Sequence, residues 1–426
     1  MAYDINELIV TNAETDARIQ EGIEKNRKGN FTLKTSLKAG EKVSVKLNNH
    51  KFRFGCNMFM LDEIPDDKQK NETYKEKLKD VFNLATVPFY WDATEPEEGK
   101  TRYAKDSEKV YRRPPADLCV EFCEANGIEP REHALCYDHF FPQWLKGKSD
   151  EVVKAHLEKR MQEISTRYAD KIPTIEVTNE MFWRDGVTDF YFSPDYMEWC
   201  YKTAEKYFPN NTLCINEWTG AMWESAANPW DNYYALIENL LLKGCRVDAI
   251  GMQYHMFYRK ESYYNCTRTL YNLPHLYKAL DNYARFGKQI QITEVTIPAF
   301  TQNEEDENSQ ADVIEKLYSL WFSYPNVEQI VYWNLADGYA AFTTPGNMEE
   351  GENYYRGGLL RFDMSEKPAY KRLKHLIKEV WTTDETLCAN ENGEISFRGF
   401  YGEYEVTAGG KTVTVNFDKD GKEVDI

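Results

Sequence analysis

Between residues 52 and 379 the chain alternates short apolar, β-rich runs with longer stretches whose apolar residues recur at helical spacing, and the cycle repeats eight times. The strand candidates are FRFGCNM (52–58), ATVPFYW (85–91), REHALCY (131–137), TIEVTNE (174–180), TLCINEW (212–218), DAIGMQY (248–254), IQITEVTI (290–297) and QIVYWNL (329–335). Between them fall amphipathic segments such as KEKLKDVFNL, DEVVKAHLEKRMQEISTRY and ADVIEKLYSLWFSY. Gly127, Gly244 and Gly287 each follow a last helical turn, where a left-handed residue ends a helix at low cost. Eight strand–helix units in about 330 residues predict an α/β fold of the (β/α)8 TIM-barrel type, closed by KPAYKRLKHLIKEVW (367–381). A doubly wound sheet would want a glycine-rich phosphate loop after an early strand, and none is present.

The flanks follow another rhythm. After a polar helix, ETDARIQEGIEKNRKG, come FTLKTSL (31–37) and KVSVKLN (42–48), joined at Ala39-Gly40. The far end carries EISFRGF, GEYEVTA, KTVTVNF and GKEVDI, separated by glycine-containing turns. Six short strands cannot each bury a face alone, so the two ends are expected to combine in a small accessory β-sandwich beside the barrel. That divides the chain into residues 1–50 (helix and strands of the accessory domain), 51–382 (barrel) and 383–426 (remaining accessory strands), with a spacer or lid as the favoured role of the sandwich over carbohydrate binding. The acidic TQNEEDENSQ (301–310) reads as a solvated loop.

Composition acts mainly by exclusion. With 52 Lys and Arg against 70 Asp and Glu the net charge is −18, and no basic block occurs, so neither a nucleic acid nor an anionic membrane is an expected partner. Aromatics at 14%, including 10 Trp and 29 Tyr, suit flat-faced ligands such as sugars and equally a large core. Nine scattered cysteines without a CxxC pair predict neither a zinc site nor a disulfide framework, and Cys119 and Cys123 read as buried structural thiols. The start, MAYDINELIV, lacks a basic segment followed by a long apolar one, and no run approaches the ~18 apolar residues of a membrane span. A cytoplasmic chain is expected, secreted if a leader was trimmed; no metal or cofactor is expected.

A barrel's active site lies at the C-terminal ends of its strands. Glu180 ends the fourth strand and Glu294 ends the tightly apolar part of the seventh, in QITEV. Two carboxylates across a barrel mouth fit glycoside hydrolysis, one protonating the leaving oxygen and the other attacking or activating water. About 5 Å between them gives a retaining enzyme and roughly 6.5–9.5 Å an inverting one. Asn179 places a carboxamide where it can bond a sugar 2-OH, and MQYHM supplies Gln253 and His255, the latter able to orient Glu294.

The series FRFGCNMF, WDATEP, EHALCYDHFFPQWL, IEVTNE, CINEW, GMQYHM, ITEVTI, VYWNLAD and GLLRFDMSEKPAY resembles family 10 glycoside hydrolases, the (β/α)8 endo-β-1,4-xylanase family, over roughly residues 50–381. The resemblance implies that Glu180 is the acid/base and Glu294 the nucleophile of a retaining mechanism. It further implies that Asn179, His133, Gln253 and His255 hold the sugar and the nucleophile, that Trp333 is the aromatic floor, and that Asn216 and Glu217 match the strand-five polar pair, with Glu217 a partner of His255. Three departures stand out. Where the family has a Glu-Asn pair and a Lys gripping the sugar on the non-reducing side, TVPFYW has Thr86, Val87 and Tyr90. Where it has Trp-His after His133, this chain has Tyr137-Asp138. The aromatic cap after WNLAD is missing, with Phe342 as its candidate replacement. Loss of three hydrogen-bonding groups should weaken xylan binding there by several kcal/mol, at roughly 1 kcal/mol or more per bond, and Tyr90, Tyr137 and Asp138 become candidate sugar contacts. The expected partner is an oligo- or polysaccharide, and four readings follow. The first is a retaining β-xylanase. The second is a relative acting on another β-glycan, from the chain end. The third is a carbohydrate-binding protein without catalysis. The fourth is a metal-dependent barrel enzyme, for which His133, Asp138 and His139 are the only hint.

Overall fold

A computed structural model describes residues 5–224 and 231–426. The first four residues of the MAYDINELIV start lie outside the described residues. A helix over Ala13–Arg27 leads into strands β1 (Lys28–Lys34) and β2 (Lys42–His50). The barrel strands follow as β3 (Arg53–Asn57), β4 (Leu84–Pro88), β5 (Glu129–His133), β6 (Thr174–Asn179), β7 (Thr212–Glu217), β8 (Ala249–His255), β9 (Gln289–Thr296) and β10 (Val327–Tyr332). They close into one ring in chain order, β10 pairing with β3, and every pairing is parallel. All eight predicted strands are present, shifted by at most a few residues. The second stops at Pro88, because Trp91–Thr94 turns into a short helix, and the third stops at His133. Gly127, Gly244 and Gly287 take φ of 65°, 71° and 65°, as C′ residues do.

The acidic TQNEEDENSQ is a helix start and not a loop. Asn303 caps the helix Glu304–Ser323 by accepting from Asp306 N, and four carboxylates occupy its first turn, where the exposed N–H groups favour negative charge. Glu307 is buried there against Arg361, and Gln310 donates to Ile297 O at 2.7 Å. An alternating charge count reads this stretch as solvated only because it cannot see the cap or the arginine.

The chain ends meet in two sheets, β12-β1-β15 and β11-β2-β13-β14, formed with β11 (Asp384–Cys388), β12 (Glu394–Phe400), β13 (Gly402–Ala408), β14 (Lys411–Phe417) and β15 (Lys422–Asp425). Strands β1 and β2 sit in opposite sheets instead of pairing across Ala39-Gly40. Strand β11 was not legible because it is an exposed edge with no apolar alternation. Phe31 of one sheet stacks on Phe417 of the other at 4.4 Å, with Phe397 and Tyr404 edge-on around it, so each sheet supplies the face the other needs. Cys119 and Cys123 are buried free thiols. Among the described residues no helix is long and apolar enough to cross a membrane.

His50, the last residue of β2, joins sandwich to barrel through a hydrogen bond between Nε2 and the Trp381 carbonyl. Burial pushes its pKa down to about 4. A folded-state pKa below the unfolded value of about 6.5 contributes stability that is complete above 6.5 and is lost as pH falls toward 4. His50→Gln is therefore expected to unfold at a lower temperature at pH 7 yet to lose less of its midpoint than the parent between pH 7 and 4.5. Equal losses, measured by circular dichroism melts, would reject this role for His50.

Candidate active site

The strand ends converge because the ladder slips one residue just below the mouth. The β6–β7 register shifts between Glu176 and Thr178, after which Asn179 faces Asn216; the β8–β9 register shifts between Met252 and Gln253, after which Gln253 faces Glu294. Such irregularities re-aim the following side chains. Glu180 then leaves the strand in the left-handed region, φ 49°, with its N–H donating to Asn216 O at 3.1 Å. A non-glycine residue pays for that conformation only where its surroundings over-determine it.

The resulting cleft, ≈ 380 Å3, is lined by Glu180 and Glu294 together with Asn179, His133, Gln253, His255, Trp333, Tyr90 and Tyr137. Glu180 accepts from Tyr137 Oη at 2.6 Å and from Gln253 Nε2 at 3.0 Å. Glu294 accepts from Asn216 Nδ2 at 2.9 Å and from His255 Nε2 at 3.0 Å, while His255 Nδ1 meets Thr296 Oγ1 at 2.9 Å. Asn216 Nδ2 also lies 3.0 Å from Asn179 Oδ1 and 3.1 Å from Glu176 Oε1, and its own Oδ1 accepts from Thr293 at 2.6 Å. One layer below, Glu176 takes Arg131 and, at 2.9 Å, His133 Nδ1, whose other nitrogen meets Tyr90 Oη at 2.9 Å.

Burial opposes every charge in this stack, and specific partners decide which survive. Burial disfavours the imidazolium of His133, but Glu176 outweighs it and the pKa is raised. Burial likewise disfavours the Glu176 carboxylate, but His133 and Arg131 hold it low. For His255 the pull of Glu352 and Glu180 does not offset burial, which pushes its pKa down to about 4 and leaves a neutral ring between Thr296 and Glu294. Burial, reinforced by Glu176 and Glu180, pushes the Glu294 carboxyl up to about 8.

Two expected site residues lie elsewhere. Asp138 is buried outside the cleft and its Oδ2 accepts from Asp185 N at 2.7 Å and Gly186 N at 3.2 Å, so it ties down the 185–186 turn and faces no sugar. Glu217 does not reach His255; its oxygens accept from Phe182 N and Trp218 N, both at 2.8 Å, which pins the loop after Glu180. Of the three substituted wall positions only Tyr90 lines the cleft, Thr86 and Val87 being fully buried in β4. Phe342 does reach the rim, 79% exposed and parallel to Phe140 at 5.8 Å.

Residues not singled out from the sequence complete the site. Glu176 carried a signal, a charged residue inside an otherwise apolar barrel strand. Arg112, Arg113, Phe59, Phe140 and Glu352 also line the cleft, and no local pattern marks them. His133, Glu176 and Glu294 have ligand atoms within 4.8 Å of one another, the closest approach to a metal site among the described residues. They are already engaged with one another's donors and with Arg131, whose fixed positive charge opposes a cation there. His139, for its part, pairs with exposed Asp185.

The sequence profile of glycosyl hydrolase family 10 matches residues 49–376. Endo-1,4-beta-xylanase B of Thermotoga neapolitana is 26% identical over 350 residues, covering 79% of this chain and 91% of that protein. The anti-sigma-I factor RsgI6 of Acetivibrio thermocellus is 26% identical over 91% of this chain but only 46% of its own length. The crystal structure of xylanase 10B from Thermotoga maritima superimposes with a TM-score of 0.62 at 23% identity, over 78% of this chain and 96% of that one, a likeness of fold.

Asn216 is the donor that Glu294, Asn179 and Glu176 share. Asn216→Asp keeps its shape but sets a carboxylate against two others, and turnover is expected to fall about 100-fold or more with the far-ultraviolet circular dichroism unchanged. Activity within a few-fold of the parent would mean that this amide does not support Glu294.

Proposed function

The chain belongs to glycosyl hydrolase family 10, and from that membership we propose that it cleaves β-1,4-xylan or xylo-oligosaccharides with retention at the anomeric carbon. Glu294 attacks the anomeric carbon while Glu180 protonates the departing glycosidic oxygen, leaving a sugar esterified to Glu294. Glu180 then takes a proton from water, whose oxygen displaces Glu294.

The observation that carries this assignment is the different kind of partner each carboxylate has. Asn216 Nδ2 can only donate to Glu294, and the neutral His255 ring lies 3.0 Å from its other oxygen, where an Nε2–H tautomer also favours the anion a nucleophile needs. Glu180 accepts from Gln253 on one oxygen, but the other faces the Tyr137 hydroxyl, which can accept as well as donate, so a protonated Glu180 keeps that contact. Asn179, held by Asn216, offers its carboxamide to the sugar 2-OH, and Trp333 lies against His133 and His255 as a flat floor.

A second reading has its own support. The non-reducing side of the cleft is built from Phe59, Tyr90, Phe140 and Arg113 in place of a Glu-Asn-Lys set, which fits a relative cutting a different β-glycan from the chain end.

Glu294→Ala is expected to abolish turnover without unfolding. Glu180→Ala should regain activity with azide on substrates bearing good leaving groups and yield a β-glycosyl azide; an α product would contradict retention. Burial holds the Glu294 carboxyl up at about 8 and a nucleophile must be ionised, so kcat/KM of the Glu180→Ala variant on an activated substrate that needs no acid should rise with pH up to about 8 and level off above it. Assayed on xylan, xylo-oligosaccharides, mixed β-glucans and aryl β-glycosides, the protein should act on the xylose polymers. Cleavage of another glycan alone would favour the second reading, and glycan binding without any cleavage would reject both.

A further inference from the structure

Arg113 stands out as a buried charge with no carboxylate in ion-pair contact, Asp92 acting on it only from beyond that range. It is 9% exposed, lines the cleft, and among the described residues no carboxylate comes within ion-pair distance of it. Its one protein acceptor is the Arg112 carbonyl, 2.9 Å from Nη1, leaving most of its five N–H groups unused. The guanidinium sits 4.2 Å from the centroid of Tyr90, 4.9 Å from Phe140 and 5.6 Å from Phe59. Ring faces offset part of the lost hydration but accept no in-plane hydrogen bond. Burial lowers its pKa to about 10, so it stays charged at neutral pH.

Arg112 beside it is 3% exposed, takes φ 61°, and is anchored to Asn334 Oδ1 at 3.2 Å and to the Tyr339 carbonyl, with its Nε buried and unpartnered. The turn that presents both is braced by Arg102, which donates to Ala93 O at 2.7 Å, Glu108 O at 2.8 Å and Arg113 O at 3.3 Å. A buried cation without an ion partner is costly in a finished fold. A braced loop that holds one at a cleft wall is intelligible if the ligand brings the anion.

There is room for one. Arg112, Arg113, Phe140 and Phe342 form a wall common to the main cleft and to a side cavity of ≈ 410 Å3 bounded further by Asp92, Pro96 and Tyr111. The volume is in the range of small-molecule pockets. Asp92 borders it beyond ion-pair reach of Arg113; burial raises its pKa against the pull of Arg113, and its Oδ1 is buried without a partner, so a bound anion has to outcompete it for the guanidinium. The overall charge of −18 also opposes one, but at physiological salt that field is screened over about 8 Å, whereas a fork-to-carboxylate contact inside the cleft is not.

We propose that the Arg112–Arg113 corner is a subsite for a carboxylate-bearing sugar, a uronic acid carried by the glycan on the Tyr90 side of the cleavage point. This rests on the reading of the cleft as a β-glycan hydrolase. Arg113 binds the carboxylate through two parallel N–H groups while the sugar ring lies against Phe140 and Phe342, and Arg112 holds the corner's shape and charge. The uronate can come from a branch on the chain or from the chain itself; the carboxylate is the shared feature.

The readout is the ratio of kcat/KM for an acidic oligosaccharide to that for the same molecule with its carboxyl reduced to an alcohol. It is taken for glucuronic-acid-branched xylo-oligosaccharides and, separately, for β-linked oligosaccharides with uronate in the main chain. The parent should prefer one acidic set about 10-fold or more, the usual gain for a hydrogen-bonded charge pair. Arg113→Gln should bring the ratio to about 1 and Arg113→Lys, which keeps charge but not the fork, should retain part of it, both with melts confirming a folded protein. A branch preference and a main-chain preference each support the subsite and identify its source. A ratio near 1 in the parent for both sets, with neutral oligosaccharides still cleaved, overturns the subsite alone. Failure on every glycan, neutral or acidic, overturns the hydrolase reading and the subsite with it.

Discussion

Glu176 lies inside the barrel with none of its surface exposed, and its two oxygens accept from Arg131, His133 and Asn216. A carboxylate in that position is tolerable only while all three donors are present, since removing one partner of a buried ion pair costs about 3–5 kcal/mol. Two of the three donors are in turn committed upward. His133 reaches Tyr90, and Asn216 reaches Asn179 and Glu294. The orientation of the groups at the mouth is thus inherited from a charge balance one layer beneath them. It costs no adjustment when substrate arrives, which is what precise positioning of a reacting carboxylate requires.

Above that layer the cleft is two-sided. Its floor is a saturated network of amides, imidazoles and carboxylates, in which almost every polar atom has a partner. Its far wall is aromatic, Phe59, Tyr90 and Phe140, with two arginines set into it and donors to spare, and it meets the floor at Trp333. The sandwich stands away from both, tied on at the strands' N-terminal end through His50 and by Arg27, which donates to carbonyls after the helix Glu304–Ser323, including Val327 O at 2.7 Å.

Legibility along the chain followed the range of the forces involved. Most of the barrel strands were readable because burial on both faces makes them apolar runs, while β5, EPREH, was readable only with the apolar residues that follow it; Glu180 and Glu294 were readable as a pair of carboxylates at two strand ends. Asp138 and Glu217 misled. Both stand beside active residues in sequence, yet each is captured by backbone N–H groups of a loop 35 to 47 positions away, Phe182 N for Glu217 and Asp185 N for Asp138. The acidic run after β9 misled in the opposite sense, since Asn303 and Arg361 turn a solvated-looking stretch into a capped, partly buried helix.

What the sequence determined by itself is periodic or local: the strand–helix alternation, the helix stops at glycine, the apolar faces of the terminal strands, and the two glutamates at strand ends. Tertiary structure alone decided the rest. It set the one-residue slips that turn Asn216 and Gln253 toward the glutamates, the sharing of two sheets between chain ends, and the arrival of Arg112 and Arg113, from a loop with no distinguishing pattern, at a wall made by other strands. The division has a physical cause. Hydrophobic periodicity is imposed by neighbours three or four residues away, whereas the partner of a buried charge is chosen by whichever donor the closed barrel brings within about 3 Å.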